Sequence, residues 1–472
     1  MSDKQREHYK CWGSFLSSRA LCSAYLVIKR YYAPWALLMV GILLLICVTL
    51  ISGDPLVTGK KATHSAVFDI VQVFTNLLQS RAAGIGMNII CVGGFAYYMD
   101  KIGATKALVR ICIKPLSYVH APYLLLGFAY LVGQLLNVFI PSAVGLGMLL
   151  MVTIYPLLVA VGVSRLSAAA VVATASCLDL GPASGNSLLA AEISNLHVME
   201  FFIQSQLPVG VVAAVVIAAG HVLLGKFFDK RDLASGRLTA DDFKLRTEVK
   251  QEGAAAQPDA PVYYAILPIL PVVLLFVFSK LVYAGVRLEV VTAILSCAFI
   301  AFIVDLLTVR SLRACTDRTK AMFNGMGKIF SSTVLLIVCA EVFAEGLKRS
   351  GGIDTILQSV AQMQGAGGVT MLLVMFLIMA LAAFVTGSGN AAFFAFSPLL
   401  PQAAGSVGWA TVTMAVPVQL ASGIARSMSP IAGVVMAVSG IAEVSPFELV
   451  RRTIPVMAGG LIATFIASLL IL

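Results

Sequence analysis

The residues able to do chemistry in this chain lie in four short polar islands within apolar text. They are Pro141-Ser142-Ala143, Ser184-Gly185-Asn186, Thr386-Gly387-Ser388-Gly389-Asn390 and Arg426-Ser427-Met428-Ser429. A backbone N–H or C=O left unpaired in hydrocarbon is costly. Irregular chain at membrane depth therefore survives only inside protein or against a wet cavity. Helix ends at such breaks offer free N–H groups to anions and free carbonyls to cations. Glycine lets backbone approach a ligand, while Ser, Thr and Asn supply neutral donors. This is the chemistry of holding a small polar solute between helix ends. Packing between helices uses the same small residues and is the competing reading.

Two charged residues belong with these islands. Arg426 lies deep in an apolar run, where a charge must find a partner. Its planar fork suits a carboxylate, either on a ligand or on Asp179, Glu341 or Glu345. Asp179 precedes the second island and either binds a coupling proton or cation or neutralises Arg426. Glu341 and Glu345, four residues apart, are expected at a solvated helix end. Glu192, Glu200, Asp305, His197 and His221 are expected near span ends. The nine cysteines form no CxxC and no metal-ligand spacing, so free thiols are expected and no metal or cofactor is called for. No GxGxxG after a strand, GxxxxGK[ST], HExxH or GxSxG occurs, and nothing supports an enzyme.

The elements that must position these residues are membrane helices. The 472-residue chain is 59% hydrophobic and 12% charged, with mean hydropathy +0.93, against about 25% charged residues in a soluble domain. Its net charge of +10 lies mostly in short loops beside apolar runs, which fits a membrane orientation bias better than nucleic-acid binding. Spans are expected at 34–53, 83–99, 119–138, 147–162, 166–196 and 200–225. They resume at 262–283, 288–309, 329–347, 369–384, 390–407, 409–440 and 446–471. Residues 1–33 are an interfacial or weak transmembrane segment with no signal-peptide cleavage pattern. Residues 226–261 read as a solvated cytoplasmic tether.

The halves 34–225 and 262–472 repeat each other. Phe95 to Gly103 matches Phe343 to Gly351, and Phe139 to Gly145 matches Phe384 to Asn390. If 119–162 and 369–407 are re-entrant hairpins, an odd number of spans separates the copies and the repeat is inverted. The broken helices are 166–196 and 409–440, and the interfacial arms are 100–116 and 348–366. With 226–261 in the cytoplasm, basic residues gather on that side, as the positive-inside bias requires.

At these residues the chain resembles the anaerobic C4-dicarboxylate carriers of type C, the DcuC family of the ion transporter superfamily. The matching text is APYLLLGFAYLV (121–132), PSAVGLGMLLM (141–151), GPASGN (181–186), TGSGNAAFFAF (386–396) and SPIAGVVMAVSGIAEVSPFE (429–448). The resemblance implies a multi-pass bacterial inner-membrane protein carrying succinate, fumarate and malate by exchange, proton-coupled uptake or efflux. It also implies a homodimer among lipids, a proton or sodium coupling ion, and an elevator-type motion of the two hairpins and two broken helices. Candidate substrate contacts are Pro141, Ser142, Ser184, Gly185, Asn186, Thr386, Gly387, Ser388, Gly389, Asn390, Arg426, Ser427 and Ser429, with Asp179 for the coupling ion. The same scaffold carrying another small anion or amino acid is the alternative. A non-transporting sensor would need a soluble domain, and the chain offers only the 36-residue tether.

Overall fold

The computed structural model describes residues 33–52, 55–58, 62–119, 121–245, 260–283, 285–350 and 367–472. The described residues form helices and loops without a strand. Nine helices among the described residues are long and apolar enough to cross a membrane. They are α1 (Pro34–Ile51 within Ala33–Ser52), α2 (Ala66–Lys101), α4 (Pro122–Phe139), α5 (Ala143–Ala160), α8 (Val198–Ala234), α10 (Val290–Val309), α11 (Leu312–Arg349), α12 (Gly367–Thr386) and α17 (Pro446–Ile471). Between them lie the shorter α3 (Ala104–Ile113), α6 (Arg165–Thr174), α7 (Gly185–Ile193), α9 (Leu270–Val277), α13 (Gly389–Phe396), α14 (Leu400–Ser406), α15 (Thr411–Arg426) and α16 (Gly433–Ala442).

The helices sort into two groups. In the first, α1 runs along the second half of α11, and the first half of α11 runs along the second half of α2, with α10 against both. In the second, α8 packs on α4 and α17, α12 packs on α15, and α5, α6 and α16 pack together. The short helices α7 and α13 touch each other and α15, and α13 meets α11 of the first group. Both long helices of the first group contain a five-residue π-helical segment, at Ala82–Gly86 and Phe330–Val334. The α-helical stretches that follow them, Met87–Lys101 and Leu335–Arg349, have equal length and a spacing of 248 residues.

Several expected boundaries move. Helix α2 starts at Ala66, well before 83, because Asp69, Gln72, Asn76 and Gln79 interrupt an otherwise helical apolar pattern without breaking it. Residues 312–329, expected as a loop, are an amphipathic helix. Its Cys315, Met322 and Gly325 are buried against the rest of the first group, while Arg313, Asp317, Lys320 and Lys328 are exposed. The expected span 262–283 contains only a 3-10 turn and the eight-residue α9, since Pro268 and Pro271 remove helical N–H donors. Pro398 and Pro401 likewise divide 390–407 into α13, a 3-10 turn and α14. The N-terminal segment expected at 1–33, except for its last residue, and most of the arm expected at 348–366 lie outside the described residues.

The tether is also corrected. Helix α8 continues to Ala234, so 226–234 belongs to the packed fold. Asp229 is buried and accepts from Arg452, from Ser164 Oγ at 2.6 Å and from Ser167 Oγ at 2.9 Å. Arg452 also reaches Asp232 at 2.9 Å. Further on, Asp242 accepts from Arg165 Nη2 at 2.5 Å, tying the turn at 240–243 to the start of α6. Residues 246–259 are not described.

Candidate substrate site

Three of the four islands start helices in the same way. Ser142 Oγ accepts from Gly145 N at 3.1 Å, Ser184 Oγ from Ser187 N at 3.3 Å, and Ser388 Oγ from Ala391 N at 3.2 Å. Each serine is the N-cap of its helix, satisfying one free donor and leaving others of that turn unused. The fourth helix start, at α16, has Ala432 as its N-cap and no side-chain cap. The site thus gathers the positive ends of α5, α7, α13 and α16.

The first break, Ala175 to Ser184, lies against the C-terminal end of α15. A Cβ on Gly423 would sit 2.3 Å from the Cys177 carbonyl oxygen, so the two backbones touch there. Gln419 Nε2 donates to the Leu178 and Asp179 carbonyls at 3.4 and 3.3 Å, and Arg426 Nη2 donates to the Ser176 carbonyl at 2.8 Å. Protein donors therefore already occupy several of the carbonyls freed by the break. Asp179 holds a left-handed conformation, φ +50°, and is buried. The polar neighbours of its carboxylate are Arg426, Ser184 and Asn186.

The Thr386–Asn390 turn closes the site from the other side. Gly387 has φ +68°, which favours glycine, and Gly389 backs onto the Ser422 carbonyl, where a Cβ would come within 2.8 Å. Thr386 Oγ1 accepts from Ser388 N at 3.3 Å and bonds back to Ala382 O at 2.7 Å. Asn186 Nδ2 donates to Asn390 Oδ1 at 3.2 Å, joining the start of α7 to this turn. Pro141 and Ser142 join less directly. Val138 packs against Gly181, and Val144 lies 3.3 Å from a Cβ on Gly433. Ser142 itself is exposed and bonds within its own turn.

Three buried polar atoms of these islands lack partners. Arg426 Nε, Ser429 Oγ and Asn186 Oδ1 have no hydrogen-bond partner, in a structure that contains only the protein chain. Ser427 is spent internally, its Oγ donating to the Gly423 carbonyl at 3.1 Å. Arg426 makes no ion pair with Asp179, Glu341 or Glu345 among the described residues.

Glu341 corrects another expectation. It is buried rather than at a solvated end, and Arg81 reaches it with Nε at 2.7 Å while Nη1 reaches Glu192 at 2.6 Å. Arg81 is thus a basic residue inside the membrane-length helix α2, whereas Arg426 ends the 16-residue α15. His221 is also buried, mid-helix in α8, with Nε2 at 2.8 Å from Thr174 Oγ1. Asp305 is buried too, bonded to Tyr264 and Arg318. Reading the sequence does not find Gln206 and Gln419. Gln206 Nε2 donates to Gln419 Oε1 at 2.9 Å and Ser187 Oγ at 2.8 Å, and Gln206 Oε1 accepts from Gly181 N at 3.2 Å. An isolated amide in an apolar run was the available signal. The seven described cysteines are not in disulfides, and Cys177 Sγ lies 3.2 Å from Tyr130 Oη.

The comparisons agree with this architecture. The family model of the C4-dicarboxylate anaerobic carrier, DcuC, matches residues 19–472. The probable anaerobic C4-dicarboxylate transporter DcuC of Vibrio cholerae is 37% identical over 437 residues, 92% of each chain. The anaerobic C4-dicarboxylate transporter DcuC of Escherichia coli K12 is 35% identical over 446 residues, 94% of each chain. Among solved structures, the Alcanivorax borkumensis YdaH transporter, described as having an unusual topology, superposes with a TM-score of 0.57. That match has 16% identity and covers 93% of this chain and 98% of that one, which speaks for the fold alone. With nine membrane-length helices and a family match over nearly its whole length, the chain is a multi-pass inner-membrane transporter rather than an enzyme, and it belongs to the C4-dicarboxylate anaerobic carrier family.

Proposed function

We propose that this protein carries C4-dicarboxylates such as succinate, fumarate and malate, binding them where the four helix starts meet Arg426. The observation that carries the reading is the Arg426 guanidinium. One nitrogen is anchored on Ser176 O, and its buried Nε is unpartnered, as is the hydroxyl of Ser429, whose backbone N–H donates to the Arg426 carbonyl at 3.0 Å. A C4-dicarboxylate brings two carboxylates a few bonds apart. Arg426 with Ser429 answers one, and the N–H groups at the starts of α7 and α13 answer the other. Burying a dianion without such compensation would be prohibitive.

The 248-residue spacing of the two π segments, and of the helices after them, supports an internal repeat. The division into two helix groups supports a unit of hairpins and broken helices moving against α1, α2, α10 and α11. Asp179, buried beside Ser184, Asn186 and Arg426, is positioned to take a coupling proton or cation. Replacing Arg426 with Ala is expected to weaken succinate binding at least a hundredfold, measured by calorimetry on purified protein whose melting temperature is unchanged. Binding at the wild-type level would sink the assignment.

A further inference from the structure

The Glu192–Arg81–Glu341 group lies outside the site, and the two-fold pattern of the chain makes its charge informative. Arg81 precedes the π segment of α2, and Glu341 lies in the stretch of α11 after its own π segment. Shifting each by 248 residues gives Ile329 for Arg81 and Gly93 for Glu341. Those two also meet, for a Cβ on Gly93 would fall 2.6 Å from the Ile329 side chain. One half of the molecule therefore closes this helix crossing with hydrocarbon alone. A buried ion pair pays heavy desolvation and is poor at stabilising a fold that apolar packing can close.

What Arg81 adds is its reach to Glu192. That residue lies in the last turn of α7, where a negative charge opposes the helix dipole, so α7 gains nothing from it by itself. The first turn of α7 bears Gly185 and Asn186 of the site. A second contact of α7 with α2 is apolar: Ile89 lies 3.6 Å from a Cβ on Gly185. Of the buried or half-buried ion pairs named above, Arg81–Glu192 is the one that joins the two helix groups. The two carboxylates differ in exposure, 38% for the Glu192 side chain against 9% for Glu341. Glu192 can be released to water, whereas Glu341 must keep its partner. Glu345, one turn on, is held by Arg349 at 2.6 Å.

We propose that Arg81 is a positioning residue of the transport cycle. It holds α7 against α2 and α11 through Glu192 in this conformation, and it releases Glu192 while keeping Glu341 when the site moves. The proposal rests on the moving-unit reading above and is independent of the cargo. The test is the distance distribution, by double electron–electron resonance in liposomes, between spin labels carried by unnatural amino acids in place of Phe323 on α11 and Met436 on α16. Two separations are expected, with the one matching this structure dominant. Glu192→Gln should lower the ratio of that separation to the other about tenfold, the effect of losing a charge-assisted hydrogen bond that is partly solvated. Glu192→Asp should fall between, which loss of folding would not produce. The pair Arg81→Ile with Glu341→Gly copies the apolar half and should shift the ratio as Glu192→Gln does. An unchanged ratio in Glu192→Gln overturns the proposal. A single separation with and without succinate overturns it together with the moving unit. The ligand-free ratios keep their meaning even if succinate fails to bind.

Discussion

Gly423→Ala is the smallest change that separates packing from function here. The added carbon would lie 2.3 Å from the Cys177 carbonyl oxygen, whereas ordinary contact begins at 3.4 Å. The end of α15 and the first break must therefore part by roughly 1 Å, and overpacking of this kind costs about 1–3 kcal/mol. The oxygen is backbone, so no side chain can turn away to absorb the clash. The separation falls on the bonds from Gln419 to the Leu178 and Asp179 carbonyls and from Arg426 to Ser176. If the Arg426 geometry sets affinity, the same energy appears as about a 5- to 150-fold loss in succinate binding. Gly440→Ala is the control, since an alanine Cβ there meets nothing within 4 Å. It should leave binding unchanged and raise helix stability slightly, by up to about 1 kcal/mol. Titration calorimetry and thermal melts on both variants decide the matter. Wild-type affinity in folded Gly423→Ala would refute the view that the contact between α15 and the first break shapes the site.

Two further outcomes follow from the Asp229–Arg452 network and the turn at 240–243. Asp229→Ala leaves Arg452 buried without its main partner, and the melting free energy should fall by about 3–5 kcal/mol. Asp242 is raised by partial burial, but the Thr239 N–H and hydroxyl and the Arg165 guanidinium outweigh this and hold its pKa below the usual carboxylate value. A depressed folded pKa gives stability that is present above the unfolded value, about 3.9, and is lost as pH falls through the lower folded value. Protection of the 240–243 amides, measured against their intrinsic exchange rates at each pH, should therefore fall below about pH 4 and stay flat from pH 5 to 8, where Asp242 is ionised in both states.

The polar islands were legible because glycine, serine and proline stand out against apolar text, and three of the four proved to be serine-capped helix starts. The paired carboxylate and arginine chemistry was not. Arg81 falls just ahead of the span expected at 83–99, because its neighbours Asn76, Gln79 and Ser80 lower local hydropathy. Its partners lie 111 and 260 residues away, a distance that no local pattern reports. Glu341 was misread for the same reason, since i,i+4 spacing with Glu345 fits both a solvated edge and a buried contact. Residues 312–329 were lost to charge density, although Cys315, Met322 and Gly325 share a helical face. Gln206 and Gln419 showed only as single amides, and their meaning comes from the broken backbone they bind. Hydropathy finds spans; it does not say which side chain of a span faces another.

The central claim is that the site moves C4-dicarboxylates across a membrane. The most direct test is uptake of labelled succinate into proteoliposomes loaded with unlabelled fumarate, with and without pH and sodium gradients. Uptake driven by internal fumarate is expected, its dependence on the gradients identifying the coupling ion, with loss of that uptake in Arg426→Ala. Absence of uptake under every condition, from protein shown to be folded, would contradict it.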